Sequence, residues 1–336
     1  MPLPLILGGI AVVAGLTGAK KAYDASQKNS EASRLNDKAE TICDMAKQSV
    51  NEARKLANDS LQTLGKKKLD VMSNDIHHFV ESFGKIHNVD LTDSEGIKEL
   101  EDFKFDKETL AEMKEQSSLA IDMASGLAEG TVAGGLAALG AYGAAMTFGA
   151  ASTGTAIATL SGVAATNATL AFLGGGSLAA GGLGIAGGTA ILGGLVAGPA
   201  LAILGFTLDA KADKNLENAR SNLAKARKIK EELDAASDLC KAISDRANMY
   251  TKLLTRIMGL FKPLLRKMDR IIDVSGTDFQ KYSKTDKSMI AMTVAMALAA
   301  KKVLDTPLLK KDGALTDESY TVQIETGMFL KSTGLE

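Results

Sequence analysis

The sequence predicts an all-α protein in which long, antiparallel, coiled-coil-like helices flank a Gly/Ala-rich apolar helical hairpin. Two observations predict this fold. Residues 130–208, the charge-free segment, contain no Asp, Glu, Lys, Arg or His, although 24% of the chain is charged. On either side, apolar residues recur at steps of three and four, which is the pattern of amphipathic helices. Lipid, the rest of the chain or another copy of the protein must shield the charge-free segment from water.

The composition argues against nucleic acid as a partner. The chain has 336 residues, a formal net charge of −1, no Trp and 4% aromatic residues. Phosphate binding needs a basic face, and base stacking needs aromatic side chains. The two cysteines, Cys43 and Cys240, form no disulfide framework, so we expect a reducing compartment. A pair of facing thiols in the core is the alternative.

Residues 1–19 are predicted to form an apolar N-terminal helix. The first charges, Lys20 and Lys21, follow the apolar run, whereas a secretory signal carries its charges before that run. A cleaved signal peptide is therefore not expected, and the run is slightly short for a membrane span. Small residues four apart favour close packing on another helix. A helix that touches lipid without a specific partner is the alternative.

Residues 20–129 are predicted to be an amphipathic helical region. One apolar stripe covers residues 35–86, so we expect one long helix, or two nearly collinear helices, ending near His87. Gly65 is a weak interruption, because glycine in a helix costs about 1 kcal/mol relative to alanine. A further helix is predicted to begin after Asp106 and to run into the charge-free segment.

The charge-free segment is predicted to be a membrane-contacting hairpin. Small residues recur every four positions in both arms, which lets helix backbones approach closely, and three consecutive glycines mark the turn. The segment is long enough for three or four spans of about 20 residues. Gly, Ser and Thr dilute its hydrophobicity, so a compact bundle within protein is the alternative. The residues predicted to contact membrane or to pack helices are Gly130, Gly134, Gly174, Gly175, Gly176, Gly182, Gly188, Gly194, Gly198 and Pro199.

Residues 209–275 are predicted to form one long helix with a heptad-type seam. Apolar residues alternate at steps of three and four over residues 216–271, which is the signature of coiled-coil packing. We expect this helix to pack antiparallel to residues 20–86, and Gly259 and Pro263 to bend its far end. An ordinary core helix of a bundle is the alternative.

Residues 276–336 are predicted to hold a C-terminal helix and a tail. The helix covers about residues 285–304, and its apolar run suits a buried core helix better than a membrane span. In the tail, SYTVQIET alternates polar and apolar residues like a short strand. A docking segment and a disordered tail are the alternatives.

No catalytic, metal-binding or cofactor-binding pattern stands out, so we expect a protein that is not an enzyme and has no cofactor. His77 and His78 are adjacent and point to different faces of a helix, without a ligand set around them. His87 suits a helix end. The glycines recur over tens of residues without a strand or a phosphate-loop motif. Lys66, Lys67 and Lys68 suit either anionic lipid or a solvated helix face.

The central run ATNATLAFLGGGSLAAGGLGIAGGTAILGGLVAGPALAI and the opening PLILGG…KKAYDA carry a resemblance. They resemble a widespread bacterial family of unassigned function that places nearly this run between two long charged helices. The resemblance covers roughly residues 1–271. In layout alone, the chain is also similar to apolipoprotein L and to α-helical pore-forming toxins, a likeness that transfers no residue roles.

Two functions remain open at this point. In the first, the charge-free segment inserts into a lipid bilayer and oligomerises through its glycines to form a pore or lesion, as a bacterial toxin or defence effector would. We then expect a cytoplasmic homo-oligomer that associates with the inner membrane. In the second, the segment is buried in the protein's own core or in an oligomer interface, and the helices act as a scaffold.

Overall fold

The protein is all-α, as the sequence predicts. The computed structural model describes residues 5–91, 106–128, 133–147, 216–310 and 313–334, of which 88% are helical, and it contains no β-strand within these ranges. Contacts divide the chain into two compact units. Unit 1 comprises residues 1–53 and 198–238, and unit 2 comprises residues 54–197 and 239–336.

The first long helix, α1, extends over Leu5–Asp70 without a break. Residues 1–19 were predicted as a separate element, and the part from Leu5 onward is the beginning of this same helix. Gly65 lies inside α1, as expected for a weak interruption. A π-helical turn, Val71–Ile76, follows, and α2 covers His77–Phe83. The helical stretch thus ends four residues before His87, close to the predicted end.

The second long helix, α5, covers Leu216–Ser275 and includes Pro263. Within unit 1 it pairs with α1 through polar side chains, and the partners advance together along both helices. These contacts are Glu31 with Arg220 at 3.4 Å, Asn36 with Asn222 at 3.1 Å and Ser49 with Ser237 at 3.4 Å. Their sequence separations, 189, 186 and 188, are nearly constant. In unit 1 the two helices are therefore parallel.

Unit 2 has the same parallel alignment. Ser60 contacts Ser244 at 2.8 Å, and Ser82 donates to Asp269 at 2.6 Å, with sequence separations of 184 and 187. The predicted antiparallel pairing is therefore wrong. Periodicity shows which helix face is buried but not the direction of the partner, and the connection between these helices is long enough to return the chain to the same end. The predicted coiled-coil geometry and the bend at Gly259 and Pro263 stay predictions.

Shorter helices complete unit 2. Helix α3, Lys107–Ala128, confirms the helix predicted after Asp106 and packs on α2 and the π-helical turn. Helix α4, Ala133–Thr147, is the described part of the charge-free segment. It packs on α3 and on α6, which covers Lys284–Asp305. The prediction of a buried core helix at residues 285–304 is confirmed, because every apolar residue of α6 from Ile290 to Leu304 except the half-buried Met292 is buried.

The tail is a helix, α7, Asp317–Ser332, so the strand predicted for SYTVQIET is wrong. Helix capping outweighs the short alternating pattern. The Thr316 hydroxyl accepts a hydrogen bond from the Ser319 amide, and acidic residues occupy the first turn, where they favour the helix N-terminus. Val322, Thr326 and Leu330 are then buried at helical spacing against the rest of unit 2.

Candidate functional site

The described end of the charge-free segment is held in unit 2 by a glycine crossing between α1 and α4. A Cβ atom added at Gly65 would lie 1.9 Å from the Leu136 carbonyl oxygen, and one added at Gly140 would lie 2.1 Å from the Leu61 carbonyl oxygen. No larger side chain fits at either position without separating the backbones. Where the structure describes their surroundings, the apolar residues of α4 are buried in this packing: Leu136, Ala137, Leu139, Ala141, Tyr142 and Ala144.

Helix α4 is interrupted at Gly143, where it meets the end of α6. Gly143 has φ 76° and ψ 176°, a conformation that residues with a side chain rarely adopt. The interruption leaves the Ala141 carbonyl available to other donors, and it accepts hydrogen bonds from the amides of Leu308 at 2.8 Å and Leu309 at 3.1 Å. A Cβ at Gly143 would lie 2.3 Å from the Asp305 carbonyl oxygen. The segment is therefore attached to the C-terminal end of α6.

A buried lysine lies at the same place. Lys68 on α1 is 0% exposed, and its Nζ donates to the Thr306 carbonyl at 3.4 Å. Burial lowers the pKa of Lys68 to about 7, while the charge of Asp305 acts in the opposite direction. Sequence reasoning placed Lys68 in a surface cluster with Lys66 and Lys67. That interpretation is wrong for Lys68, because the apolar stripe of α1 continues past it to Leu69 and buries both.

Near this lysine, an ion-pair chain leads from Asp305 to the surface. The Asp305 carboxylate pairs with Lys301, which is 15% exposed, and Lys301 also lies 3.1 Å from Glu112 on α3, which is 47% exposed. Burial raises the pKa of the Asp305 carboxyl, against the opposing effect of Lys301. Burial lowers the pKa of Lys301, but Asp305 and Glu112 outweigh it and raise that pKa overall. We call Lys68, Asp305, Lys301 and Glu112 the buried charge cluster.

The buried charge cluster contains an acceptor without a donor. Asp305 Oδ1 is buried and has no hydrogen-bond partner among the described residues. A buried oxygen in that state costs on the order of 1–3 kcal/mol. The ion pair of Asp305 with Lys301 is therefore a costly arrangement, and removal of either partner would leave an uncompensated charge. Lys68 has no ion pair among the described residues, so its removal leaves no charge without its partner.

A serine, a histidine and an aspartate also meet in unit 2. His78 Nε2 lies 2.8 Å from Asp269 Oδ2, and the Ser82 hydroxyl donates to Asp269 Oδ1 at 2.6 Å. Both side chains bind the carboxylate, so the histidine is not placed to take a proton from the serine, as a nucleophilic triad requires. This group links α2 to α5 and does not form a catalytic arrangement.

The two cysteines are free and buried. Burial raises the pKa of Cys43, and it raises the pKa of Cys240 to about 11. The thiolate is the reactive form of cysteine, so these thiols are chemically quiet at neutral pH. In the part of the chain that the structure describes, no group of three or more His, Cys, Asp or Glu side chains is placed to bind a metal ion.

Most of the glycines predicted to contact membrane lie outside the described residues. Gly134 lies in α4, without described surroundings, and the remaining nine predicted positions are not described: Gly130, Gly174, Gly175, Gly176, Gly182, Gly188, Gly194, Gly198 and Pro199. Their roles stay predictions. Gly65 was predicted only as a weak interruption of its helix, and Gly140 was not singled out. Leucines lie four residues from both glycines, at Leu61, Leu69 and Leu136, so the four-residue spacing of small residues does not mark the crossing. Nothing in the sequence distinguishes Lys68 from its neighbours except its register on the apolar stripe.

The comparisons with known proteins add no assignment. Neither a protein-family model, nor a curated protein, nor a solved structure matches the chain. The resemblance to the bacterial family therefore stays a prediction. No helix among the described residues combines the length and the hydropathy needed to cross a bilayer.

Proposed function

We propose that the protein is a membrane-active helical protein whose charge-free segment enters a lipid bilayer and oligomerises there. The observation that carries this proposal is the absence of charge over residues 130–208 in a chain that is otherwise rich in charge. Lipid is the environment that tolerates such a segment without a matching apolar protein surface. The Gly/Ala spacing supports association of inserted helices, because small residues allow close backbone contact.

The burial of α4 refines this proposal. Leu136 and Leu139 are 2% and 0% exposed within unit 2, so this end of the segment already has a protein environment. We assign the lipid-entering part to residues 148–208 and give α4 the role of an attachment to unit 2. Residues 148–208 retain no charged side chain and exceed the length of two spans of about 20 residues.

Release of dye from liposomes tests the proposal. Purified full-length protein should release dye from vesicles made with anionic phospholipid, and Ile191→Asp should reduce the release at least tenfold. A carboxylate at the centre of a spanning helix costs about 3 kcal/mol, which corresponds to more than a hundredfold change in insertion. The matched control is Ile324→Asp, at a residue of α7 that is 41% exposed. Absence of both release and vesicle binding at every pH tested would contradict the proposal.

A scaffolding protein is the second candidate, and the burial of α4 favours it. If residues 148–208 are packed as closely as α4, the whole segment is covered by protein and lipid plays no part. Carbonate extraction of cell membranes separates the two candidates. Recovery of all the protein in the soluble fraction, with residues 148–208 protected from protease, supports the scaffold, whereas retention in the membrane pellet supports the membrane-active protein.

A further inference from the structure

Three connections meet at the C-terminal end of α6. The Lys68 amine on α1 donates to the Thr306 carbonyl, the amide of Leu308 donates to the Ala141 carbonyl on α4, and Gly143 lies against the Asp305 carbonyl. The Thr306 amide in turn donates to the Lys302 carbonyl at 3.1 Å, which fixes this corner to α6. The position of α4 therefore depends on this corner. Lys68, which lies at the corner, is the only basic side chain among the described residues that is fully buried.

The charged groups that surround Lys68 come from two other helices. Asp305 and Lys301 lie on α6, and Glu112 reaches Lys301 from α3. Two further titratable side chains border the corner. Tyr142 on α4 is buried, and the Tyr250 hydroxyl on α5 interacts with the Thr306 side chain; burial raises the pKa of Tyr250. Lys68 thus has one negative neighbour, Asp305, which is already paired with Lys301.

We propose that Lys68 is a protonation-controlled latch for α4: the neutral amine holds the corner closed, and the charged ammonium favours its opening and the departure of α4 from α1 and α6. The proposal rests on the membrane-active function in one respect, because the opening would serve that function by freeing the charge-free segment. The latch itself is a property of unit 2 and is measured without lipid.

The direction of the pH dependence follows from the two states of Lys68. In the closed form the pKa of Lys68 is about 7, and in an open, hydrated form it returns to the ordinary value of 10.5. Opening therefore takes up a proton between these values, so acidification from alkaline pH favours the open form until about pH 7 and has little effect below it. From the two pKa values, the equilibrium constant for opening rises about tenfold between pH 8 and pH 6, and most of the rise occurs above pH 7.

Hydrogen exchange of the full-length protein tests the latch. Peptides that contain Leu136–Tyr142 are followed at pH 6, 7 and 8, and the rates are corrected for the intrinsic pH dependence of amide exchange. The wild type should lose about tenfold in protection from pH 8 to pH 6. Lys68→Met keeps an unbranched side chain but has no titratable group at this position. The amides of α4 should therefore be more protected in this variant, and their protection should change less than twofold across this range.

Two further variants keep the test decisive. Lys66→Met, at an exposed position of the same helix, should follow the wild-type profile. Asp305→Asn removes the charge that offsets the ammonium of Lys68, and it should lower the protection of α4 at pH 6, where most of the closed form of the wild type carries that ammonium, by at least threefold. If Lys68→Met does not fold, the wild-type profile and Asp305→Asn still decide. Wild-type protection that changes less than twofold between pH 8 and pH 6, or a pH dependence in Lys68→Met equal to that of the wild type, would overturn the latch.

Liposomes separate the latch from the proposed function. With vesicles at pH 8 and pH 6, both hypotheses together predict faster dye release at pH 6 in the wild type and slow, pH-independent release in Lys68→Met. A pH-dependent opening of α4 without any dye release would contradict the membrane-active function and support the latch. Dye release with an identical pH profile in both proteins would contradict the latch and support the membrane-active function.

Discussion

At the residue scale, Lys68 is the most unusual side chain that the structure describes. A lysine is almost never fully buried unless it is paired, and the nearest opposite charge here already pairs with Lys301. The apolar stripe of α1 sets the position of Lys68, because Leu64 and Leu69 are buried on either side of it. The free energy needed to dehydrate the ammonium therefore opposes folding at neutral pH.

We expect Lys68→Met to increase the free energy of unfolding at pH 7 by about 1–3 kcal/mol, because it removes a fully buried amine that has no ion pair among the described residues and whose dehydration opposes folding. The native pKa of Lys68 lies below its unfolded value, so the unfolded state binds the extra proton and the wild type gains stability as the pH rises from about 7 toward 10.5. The advantage of the variant should therefore shrink by up to about 1.4 kcal/mol per pH unit in this range. Urea unfolding at pH 7, 8 and 9 measures it.

Lys66→Met is the matched control for this measurement. Lys66 is exposed on α1 two residues away, so its replacement should change the free energy of unfolding by less than about 0.5 kcal/mol at each pH. A stability difference between Lys68→Met and the wild type that does not depend on pH would show that Lys68 keeps its ordinary pKa in the folded protein.

At the element scale, the crossing of α1 and α4 depends on two glycines. In an isolated helix each would be a weak point, but here the missing side chains allow each backbone to reach a carbonyl of the other helix. The small-residue spacing predicted close helix packing at other positions of the charge-free segment, whose surroundings the structure does not describe, and that stays a prediction. It did not indicate the partner, because spacing describes one surface at a time and the choice between lipid, α1 and another copy depends on the whole fold.

Gly65→Ala and Gly140→Ala should each lower the free energy of unfolding by at least about 2 kcal/mol. The added methyl group would lie 1.9 Å or 2.1 Å from a carbonyl oxygen of the facing helix, so the backbones must separate and the packing around Leu136 is lost. Chemical denaturation followed by circular dichroism measures the loss.

Gly259→Ala and Gly327→Ala are the controls for this prediction. Both glycines lie inside helices, α5 and α7, and a Cβ at either position would meet nothing within 4 Å. Alanine should therefore stabilise the protein by about 0.5–1 kcal/mol at each position. Equal effects at the crossing and at the open positions would show that α4 does not contact α1 in solution.

At the scale of the whole molecule, the sequence predicted the secondary structure well and the topology poorly. Helices α1, α3, α5 and α6 follow from periodicity, because burial of one helix face imposes a repeat that can be read directly. The prediction of a strand in the tail was wrong because the eight residues of SYTVQIET fit both a strand and a helix, and the helix cap at Thr316 favours the helix. The predicted direction of α5 relative to α1 was wrong because a heptad pattern of apolar residues is compatible with a parallel and with an antiparallel partner.

The last prediction follows from the parallel alignment of α1 and α5. In a background with both native cysteines replaced by alanine, Ser60→Cys with Ser244→Cys should form a disulfide under mild oxidation, since the two hydroxyl oxygens lie 2.8 Å apart. Ser49→Cys with Ser237→Cys tests the same alignment within unit 1, where the oxygens lie 3.4 Å apart. The control, Ser82→Cys with Ser244→Cys, should not cross-link. Ser82 contacts Asp269, which lies about 37 Å along α5 from Ser244 at 1.5 Å per residue. In an antiparallel pairing of residues 35–86 with 216–271, Ser60 would still face Ser244, but residue 49 would face residues near 255, about 27 Å along α5 from Ser237 at 1.5 Å per residue. Cross-linking of the Ser49→Cys, Ser237→Cys pair on non-reducing gel electrophoresis therefore distinguishes the two alignments.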